Sequence, residues 1–173
     1  SGITNDTLRG TPGLTYENTV LGTSSGNYVI NLTGLGIDSR TDGILLVNGA
    51  KNEDNWATSE VNDEDGTWNV RVKNSASNTS GSEEDPFAFV FIPKTNTAVV
   101  SGRFLGDASI DVYSGVTPQF TVVSNSVGTY ELRIPGYKPT NGVLIVSADQ
   151  SGSKNLDNSI SYEANAANNG WII

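Results

Sequence analysis

The sequence predicts an all-β protein, a β-sandwich in Greek-key or jelly-roll style built from two tandem sequence-related repeats. Turn-forming residues recur along the chain and separate short apolar stretches, several of which alternate at period two. No stretch has the period of an amphipathic helix. A set of motifs also occurs twice in the same order, about 102 residues apart, which indicates an internal duplication.

The duplicated motifs are glycines, apolar strands, an Asp-Asn pair and a tryptophan. In the first copy they are the segments 26–34 and 43–47, Asp54-Asn55, Glu60, Asn62, Gly66 and Trp68, and in the second they are the segments 128–136 and 142–146, Asp157-Asn158, Glu163, Asn165, Gly170 and Trp171. Because turn residues and core residues repeat together, the two copies should share turns and core contacts. We therefore place a first β-repeat with an N-terminal arm at residues 1–105 and a second β-repeat at residues 106–173.

The first strands follow a polar arm. Residues 1–13 hold few apolar side chains and several turn formers, which predicts an extended arm or edge strand. Residues 14–21 are predicted to form a strand. Tyr28, Ile30 and Leu32 then share one face at period two, so this next strand should bury one face.

Two kinds of core strand follow. The unbroken apolar runs 44–47 and 143–146 are too short for helices and rich in β-branched residues, so we expect central strands buried on both faces. Residues 67–73 alternate strictly instead, which predicts Trp68 and the valines of this segment inward and its polar residues outward.

The most apolar strand lies at 86–93. Phe87, Phe89 and Phe91 share one face, while the other face is also apolar, so this strand should be sandwiched or lie at an interface. Pro86 and Pro93 mark the two ends of this strand. Two further short strands are predicted at 97–105 and 109–113.

The second repeat shows no counterpart of the strand 86–93 before Ile173. An unpaired sheet edge exposes backbone donors and apolar side chains, which natural proteins cover or pair. We expect residues 1–21, or an equivalent strand of a neighbouring subunit, to complete this repeat, giving a homo-oligomer or filament by strand addition. The alternative is that the chain is a fragment whose next repeat is absent. The side chains expected to take part in assembly are Ile3, Leu8, Phe87, Phe89, Phe91 and Ile172.

The composition excludes several kinds of chemistry. The 173-residue chain has no Cys, His or Met, so it offers no disulfide, no thiolate or imidazole ligand and no histidine base, and we expect a processed or excised product. Ten basic against nineteen acidic residues give a net charge of −9, which makes nucleic acid a poor partner. No apolar run approaches a membrane span, so no membrane insertion is expected. Together with its richness in Asn, Ser and Thr, this composition favours an extracellular protein of a bacterial cell surface or a virion surface.

Several of these strands and turns also carry a resemblance. The segments are 89–93 (Phe-Val-Phe-Ile-Pro), 134–136 (Ile-Pro-Gly), 142–147 (Gly-Val-Leu-Ile-Val-Ser), Asp157-Asn158, Ser161-Tyr162 and Gly170-Trp171. From about residue 15 onward the chain resembles an uncharacterised tandem β-repeat of large secreted bacterial surface proteins. The resemblance implies a location outside the cell and modular repetition, and it implies no catalytic residues.

An acidic loop is the one candidate metal site. Asn62, Asp63 and Asp65 place oxygen ligands before Gly66, which is how hard cations such as calcium are bound. The loop lacks the length and the distal bidentate Glu of a full calcium loop. The alternative is a solvated acidic turn. We expect no cofactor, with calcium as the one candidate ion.

No catalytic set is present. Without His or Cys only carboxylates are available, and a glycosidase would need two of them across one sugar site. The duplicated Glu60 and Glu163 should instead occupy equivalent, separate positions. We therefore predict no enzyme and no catalytic residues.

Two functions remain open. The first is an extracellular structural or adhesive module of a cell-surface or virion appendage that assembles with copies of itself. The alternative is a carbohydrate-binding, lectin-like domain, for which Trp56 and Tyr137 are the candidate stacking platforms for a glycan. Trp68 and Trp171 occupy matching strand positions and are expected in the core.

Overall fold

The computed structural model describes residues 20–24, 26–49, 55–74, 85–149 and 160–173. These residues form antiparallel sheets, with one short 3₁₀ helix at Thr33–Leu35. No helix in this described part of the chain has the length and apolar character needed to cross a membrane. The strands are β1 Val20–Ser24, β2 Asn27–Ile30, β3 Gly43–Gly49, β4 Asn55–Val61, β5 Trp68–Asn74, β6 Phe87–Pro93, β7 Gly102–Phe104, β8 Ile110–Tyr113, β9 Thr121–Ser126, β10 Thr129–Arg133, β11 Glu163–Ala164 and β12 Trp171–Ile172. The predicted all-β class is confirmed, and its open antiparallel sheets are consistent with a β-sandwich.

The chain is organised as two compact units that are interleaved along the sequence. The first unit comprises Ser1–Arg40, Leu45–Val90 and Ser147–Asn158, and the second comprises Thr41–Ile44, Phe91–Val146 and Ser159–Ile173. The repeats predicted at 1–105 and 106–173 are consecutive stretches of sequence, whereas these two units are interleaved. The boundary between the repeats therefore stays a prediction.

The first unit contains a four-stranded sheet in the order β1-β2-β5-β4. Trp68 pairs with Ile30 of β2 on one side and with Val61 of β4 on the other. The predicted alternation of β5 is confirmed, because Trp68 is 2% exposed and Val70 and Val72 are 0% exposed. Fully burying one valine side chain stabilises a fold by roughly 1.5–3 kcal/mol, so the two buried valines of β5 contribute strongly to this core.

The strand before it also has the predicted face. Tyr28, Ile30 and Leu32 are all buried, as the period of two requires. The ring of Tyr28 lies 5.1 Å from the ring of Phe87, with an angle of 53° between the ring planes. Such tilted aromatic pairs add to the stability that burial alone provides.

The second unit contains a four-stranded sheet in the order β9-β10-β12-β11. Leu132 of β10 pairs with Trp171, and Trp171 pairs with Ala164 of β11. Phe120, Leu132 and Trp171 form the buried cluster of this sheet. Gly170 brings the backbones together, because a Cβ there would lie 2.5 Å from the carbonyl oxygen of Leu132.

The two sheets have the same strand order and the same register around their tryptophans. The turn before each tryptophan is closed in the same way: the N–H of Asn62 donates to Thr67 O at 2.9 Å, and the N–H of Asn165 donates to Gly170 O at 3.0 Å. The residues side by side across three strands are Ile30, Trp68 and Val61 in the first sheet, and Leu132, Trp171 and Ala164 in the second. These positions coincide with the repeated sequence motifs.

The apolar runs 44–47 and 143–146 differ in the structure. The first belongs to β3, whose burial alternates and whose strand neighbour is β6. The second is not part of any strand, and its Val143 and Ile145 are 91% and 71% exposed. The prediction of two central strands buried on both faces is therefore wrong. Within the described ranges β3 pairs on one side only, and 143–146 has no strand beside it.

β6 has two apolar faces as predicted, but neither is fully buried. Phe87, Phe89 and Phe91 are partly buried, while Val90 on the other face is 58% exposed. The face that contains Val90 is thus in contact with solvent.

The remaining predictions are confirmed in shortened form or lie outside the described residues. The strands expected at 97–105 and 109–113 form as β7 and β8. The arm 1–13, with Ile3 and Leu8, and most of the strand predicted at 14–21 lie outside the described residues.

Replacing either core tryptophan by alanine should destabilise the protein by roughly 3–5 kcal/mol, the usual cost of truncating a buried aromatic side chain. Trp68→Ala and Trp171→Ala should each lower the midpoint of urea unfolding followed by fluorescence and circular dichroism. Val127→Ala is the matched control, because Val127 is 104% exposed. A tryptophan variant that unfolds at the same urea concentration as the parent would contradict the equivalence of the two positions.

Candidate interaction site

Residues 143–146 form an exposed apolar segment, which we call the open edge. Leu144 packs against the cluster of Phe120, Leu132 and Trp171, whereas Val143 and Ile145 point to solvent. Burial alternates from residue to residue along this segment, which is the pattern of an extended strand with one face on a core.

The open edge and β3 each accept one side-chain hydrogen bond at a matching position. The hydroxyl of Tyr162 donates to Leu144 O at 2.8 Å, and the hydroxyl of Ser59 donates to Leu45 O at 3.1 Å. Tyr162 and Ser59 each precede the duplicated glutamate of their repeat, and Leu144 and Leu45 hold matching positions in the duplicated apolar run. The open edge is therefore the positional counterpart of β3.

The two counterparts differ in what lies beside them. The N–H of Lys94, just after β6, donates to the carbonyl of Asp42, just before β3, at 2.8 Å. The end of β6 thus meets the start of β3, so these paired strands run antiparallel. In the described part of the chain, no backbone hydrogen bond joins residues 143–146 to a strand.

The open edge also lacks charge. No Asp, Glu, Lys or Arg occurs between Lys138 and Asp149. Charged residues on edge strands are one of the devices by which proteins prevent pairing with other chains. An uncharged edge with two exposed β-branched side chains has the chemistry of a strand-pairing site.

The acidic loop is a closed turn with a basic residue beside it. The carboxylate Oδ1 of Asp65 accepts hydrogen bonds from the N–H and hydroxyl of Thr67, and Asn62 Oδ1 accepts from the N–H of Glu64. Gly66 takes φ +75°, a left-handed conformation that glycine adopts without strain. These contacts are those of Asx turns.

Arg40 lies against this loop and pairs with Asp38. Its guanidinium donates to Asp38 at 2.6 Å and to the carbonyl of Asp63 at 3.1 Å. The side-chain hydrogen bond from Arg40 is the main reason why the pKa of Asp38 falls from 3.8 to about 2. The same hydrogen bond raises the pKa of Arg40.

Calcium binding at Asn62, Asp63 and Asp65 stays a prediction. Among the described residues, no group of three or more acidic side chains converges in a way that could hold a metal ion. Asn62 Oδ1 and Asp65 Oδ1 are engaged in the turn as described above.

The two candidate stacking residues lie in different units. Trp56 of β4 is partly buried, its indole N–H has no hydrogen-bond partner among the described residues, and the ammonium of Lys73 lies 6.0 Å from its ring centroid. Tyr137 is 50% exposed. It lines a shallow surface pocket of about 500 Å³ together with Arg133, Lys138, Asn141 and Asn169.

The predicted assembly residues have unequal exposure. Phe87, Phe89 and Phe91 lie on the partly buried face of β6, and Ile172 of β12 is partly buried between Glu131 and Glu163. Ile3 and Leu8 lie outside the described residues.

Sequence reasoning missed the exposure of Val143 and Ile145, because an unbroken apolar run indicates burial on both faces. The sequence did contain one signal for this exposure, because the second repeat shows no counterpart of the strand 86–93. No protein-family model, no curated protein and no solved structure matches this chain.

Replacing Arg40 by methionine should raise the pKa of Asp38 from about 2 toward its ordinary value of 3.8, because the guanidinium hydrogen bonds are lost. The folded pKa of Asp38 lies below the unfolded one, so this ion pair stabilises the fold above about pH 4 and the effect is lost as the pH falls toward 2. NMR titration of the Asp38 carboxyl carbon measures the shift. Arg133→Met, which removes a different ion pair, should leave Asp38 unmoved; an unchanged Asp38 in Arg40→Met would contradict the assignment.

Proposed function

We propose that this protein is an extracellular structural or adhesive module of a cell-surface or virion appendage, and that it assembles with copies of itself by strand addition. The observation that carries the proposal is the open edge. Val143 and Ile145 are 91% and 71% exposed on a segment that holds the position of a paired strand. Backbone hydrogen bonds supply affinity in strand addition, and alternate side chains supply specificity.

The composition supports the proposed location. The chain has no Cys and a net charge of −9, and it resembles tandem repeats of secreted bacterial surface proteins in its strand and turn motifs. The chain has no histidine or cysteine that could act as a nucleophile or activate one, which agrees with a structural role.

The parent chain should associate as its concentration rises, and Ile145→Asp should weaken this association roughly tenfold or more. A carboxylate at position 145 would lie beside an apolar side chain of the added strand, where it loses hydration without gaining a partner, and 1.4 kcal/mol already corresponds to a factor of ten. Sedimentation velocity from low to high micromolar protein measures the effect.

Val127→Asp is the matched control, since Val127 is fully exposed and lies in the turn between β9 and β10. It carries the same added charge and should associate like the parent. A parent chain that stays monomeric throughout the concentration range would refute self-assembly.

A second candidate function, glycan binding, has support from the pocket beside Tyr137. An exposed aromatic ring there adjoins the amides of Asn141 and Asn169 and the cations of Arg133 and Lys138. Sites for small ligands combine an apolar surface with a few polar groups in this way. The side chain of Asn141 is already engaged, because its Oδ1 accepts from Lys138 N at 2.7 Å.

If this pocket binds a glycan, Tyr137→Ala should abolish specific signals on a glycan array, because the stacking surface is removed. Trp56→Ala is the companion variant, since Trp56 is only partly buried and belongs to the other unit. A parent protein without specific signals, or signals that persist in Tyr137→Ala, would exclude this pocket as the lectin site.

A further inference from the structure

The partner of the open edge can be specified, on the basis of the proposed self-assembly. We propose that the open edge of one molecule pairs antiparallel with the open edge of a second molecule about a two-fold axis. A two-fold interface uses the same surface patch on both molecules. The strand pair β3–β6 shows that the matching segment of the first repeat has an antiparallel neighbour.

Backbone geometry determines which groups of the open edge are available. Along a strand, the N–H and C=O groups of successive residues point to opposite edges. Since Leu144 O accepts the hydroxyl of Tyr162, the other edge presents the backbone groups of Val143 and Ile145. No backbone hydrogen bond to these two residues occurs within the described residues.

Side-chain direction then selects the register. Residues directly opposite each other in an antiparallel pair point to the same face of the sheet. With Leu144 opposite Leu144 of the second molecule, Val143 lies opposite Ile145 of the second molecule, and Ile145 lies opposite its Val143. Each exposed side chain then lies beside an apolar side chain of the second molecule, and Val143 and Ile145 both form hydrogen-bonded pairs.

The neighbouring registers are less favourable. Shifting the register by two residues in one direction places Val143 opposite Ser147 of the second molecule. The hydroxyl of Ser147 is engaged with the backbone of Val47 at 3.3 Å. A shift in the other direction places Ile145 opposite Asn141, whose amide already bonds Lys138 and Gly136. Each shift leaves one apolar side chain opposite a polar residue. Self-pairing brings no like charges together either, because the segment is uncharged.

Cysteine crosslinking tests this register, since the chain has no Cys of its own. Hydrogen-bonded antiparallel pairs have a Cα separation of about 5.5 Å, within disulfide range, whereas diagonal neighbours lie roughly 7–8 Å apart. A mixture of Val143→Cys and Ile145→Cys proteins should therefore form a disulfide-linked dimer between the two variants under mild oxidation. Each variant alone should crosslink at least about tenfold less, because its thiols are diagonal neighbours.

Val116→Cys mixed with Val127→Cys is the matched control, because these side chains are 93% and 104% exposed and lie in the same unit. Thermal unfolding of every cysteine variant should follow the parent, since the replaced side chains are largely exposed. Crosslinking in the mixture no greater than in the control pair, or efficient crosslinking of either variant alone, overturns the proposed register.

Sedimentation of the unmodified chain separates the two proposals. Association without the Val143–Ile145 crosslink overturns self-pairing of the open edge and leaves self-assembly in place, whereas a monomer overturns both. A synthetic peptide of residues 86–93 provides a further arm. If this peptide binds the chain and protects Val143→Cys from alkylation, while the mixed cysteine variants crosslink no more than the control pair, the occupant is a strand of the β6 type and self-pairing is overturned.

Discussion

Each four-stranded sheet depends on one buried tryptophan that lies between two neighbouring strands. Trp68 and Trp171 are 2% and 3% exposed, and each is flanked across the sheet by an aliphatic residue, Ile30 of β2 and Leu132 of β10 respectively. A buried aromatic side chain of this size makes the largest contribution to such a small core, so its removal exposes the strands on both sides. In the turn before Trp171 the backbone approaches the neighbouring strand closely, because a Cβ on Gly170 would lie 2.5 Å from the carbonyl oxygen of Leu132. A Cβ on Gly66 would instead lie 2.9 Å from the carboxylate of Asp38.

The second constraint is that backbone donors and acceptors along a strand need partners. β3 satisfies this requirement with β6, whereas its counterpart at 143–146 has no strand beside it in the described part of the molecule. The same local sequence pattern therefore has two different outcomes. Pairing partly covers the outer side chains of β3, while Val143 and Ile145 stay exposed.

Charge is distributed in a way that agrees with an assembly role. The acidic loop has a basic residue beside it, because Arg40 pairs with Asp38 and bonds the carbonyl of Asp63. The segment between Lys138 and Asp149 has no charge at all. A net charge of −9 keeps molecules apart over most of their surface, so an uncharged apolar edge is where contact between copies costs least.

The sequence by itself determined the all-β class, the inward faces of β2 and β5 and the burial of both tryptophans, because these depend on local period and side-chain size. It could not determine whether an apolar run is covered. The runs that contain Leu45 and Leu144 look alike in composition, and only the tertiary structure decided that one pairs with β6 while the other leaves two side chains exposed. The position of Arg40 beside Asp63 was likewise unpredictable, because it joins residues 23 positions apart. Contacts of this kind depend on how distant segments meet, and local sequence pattern does not encode that meeting.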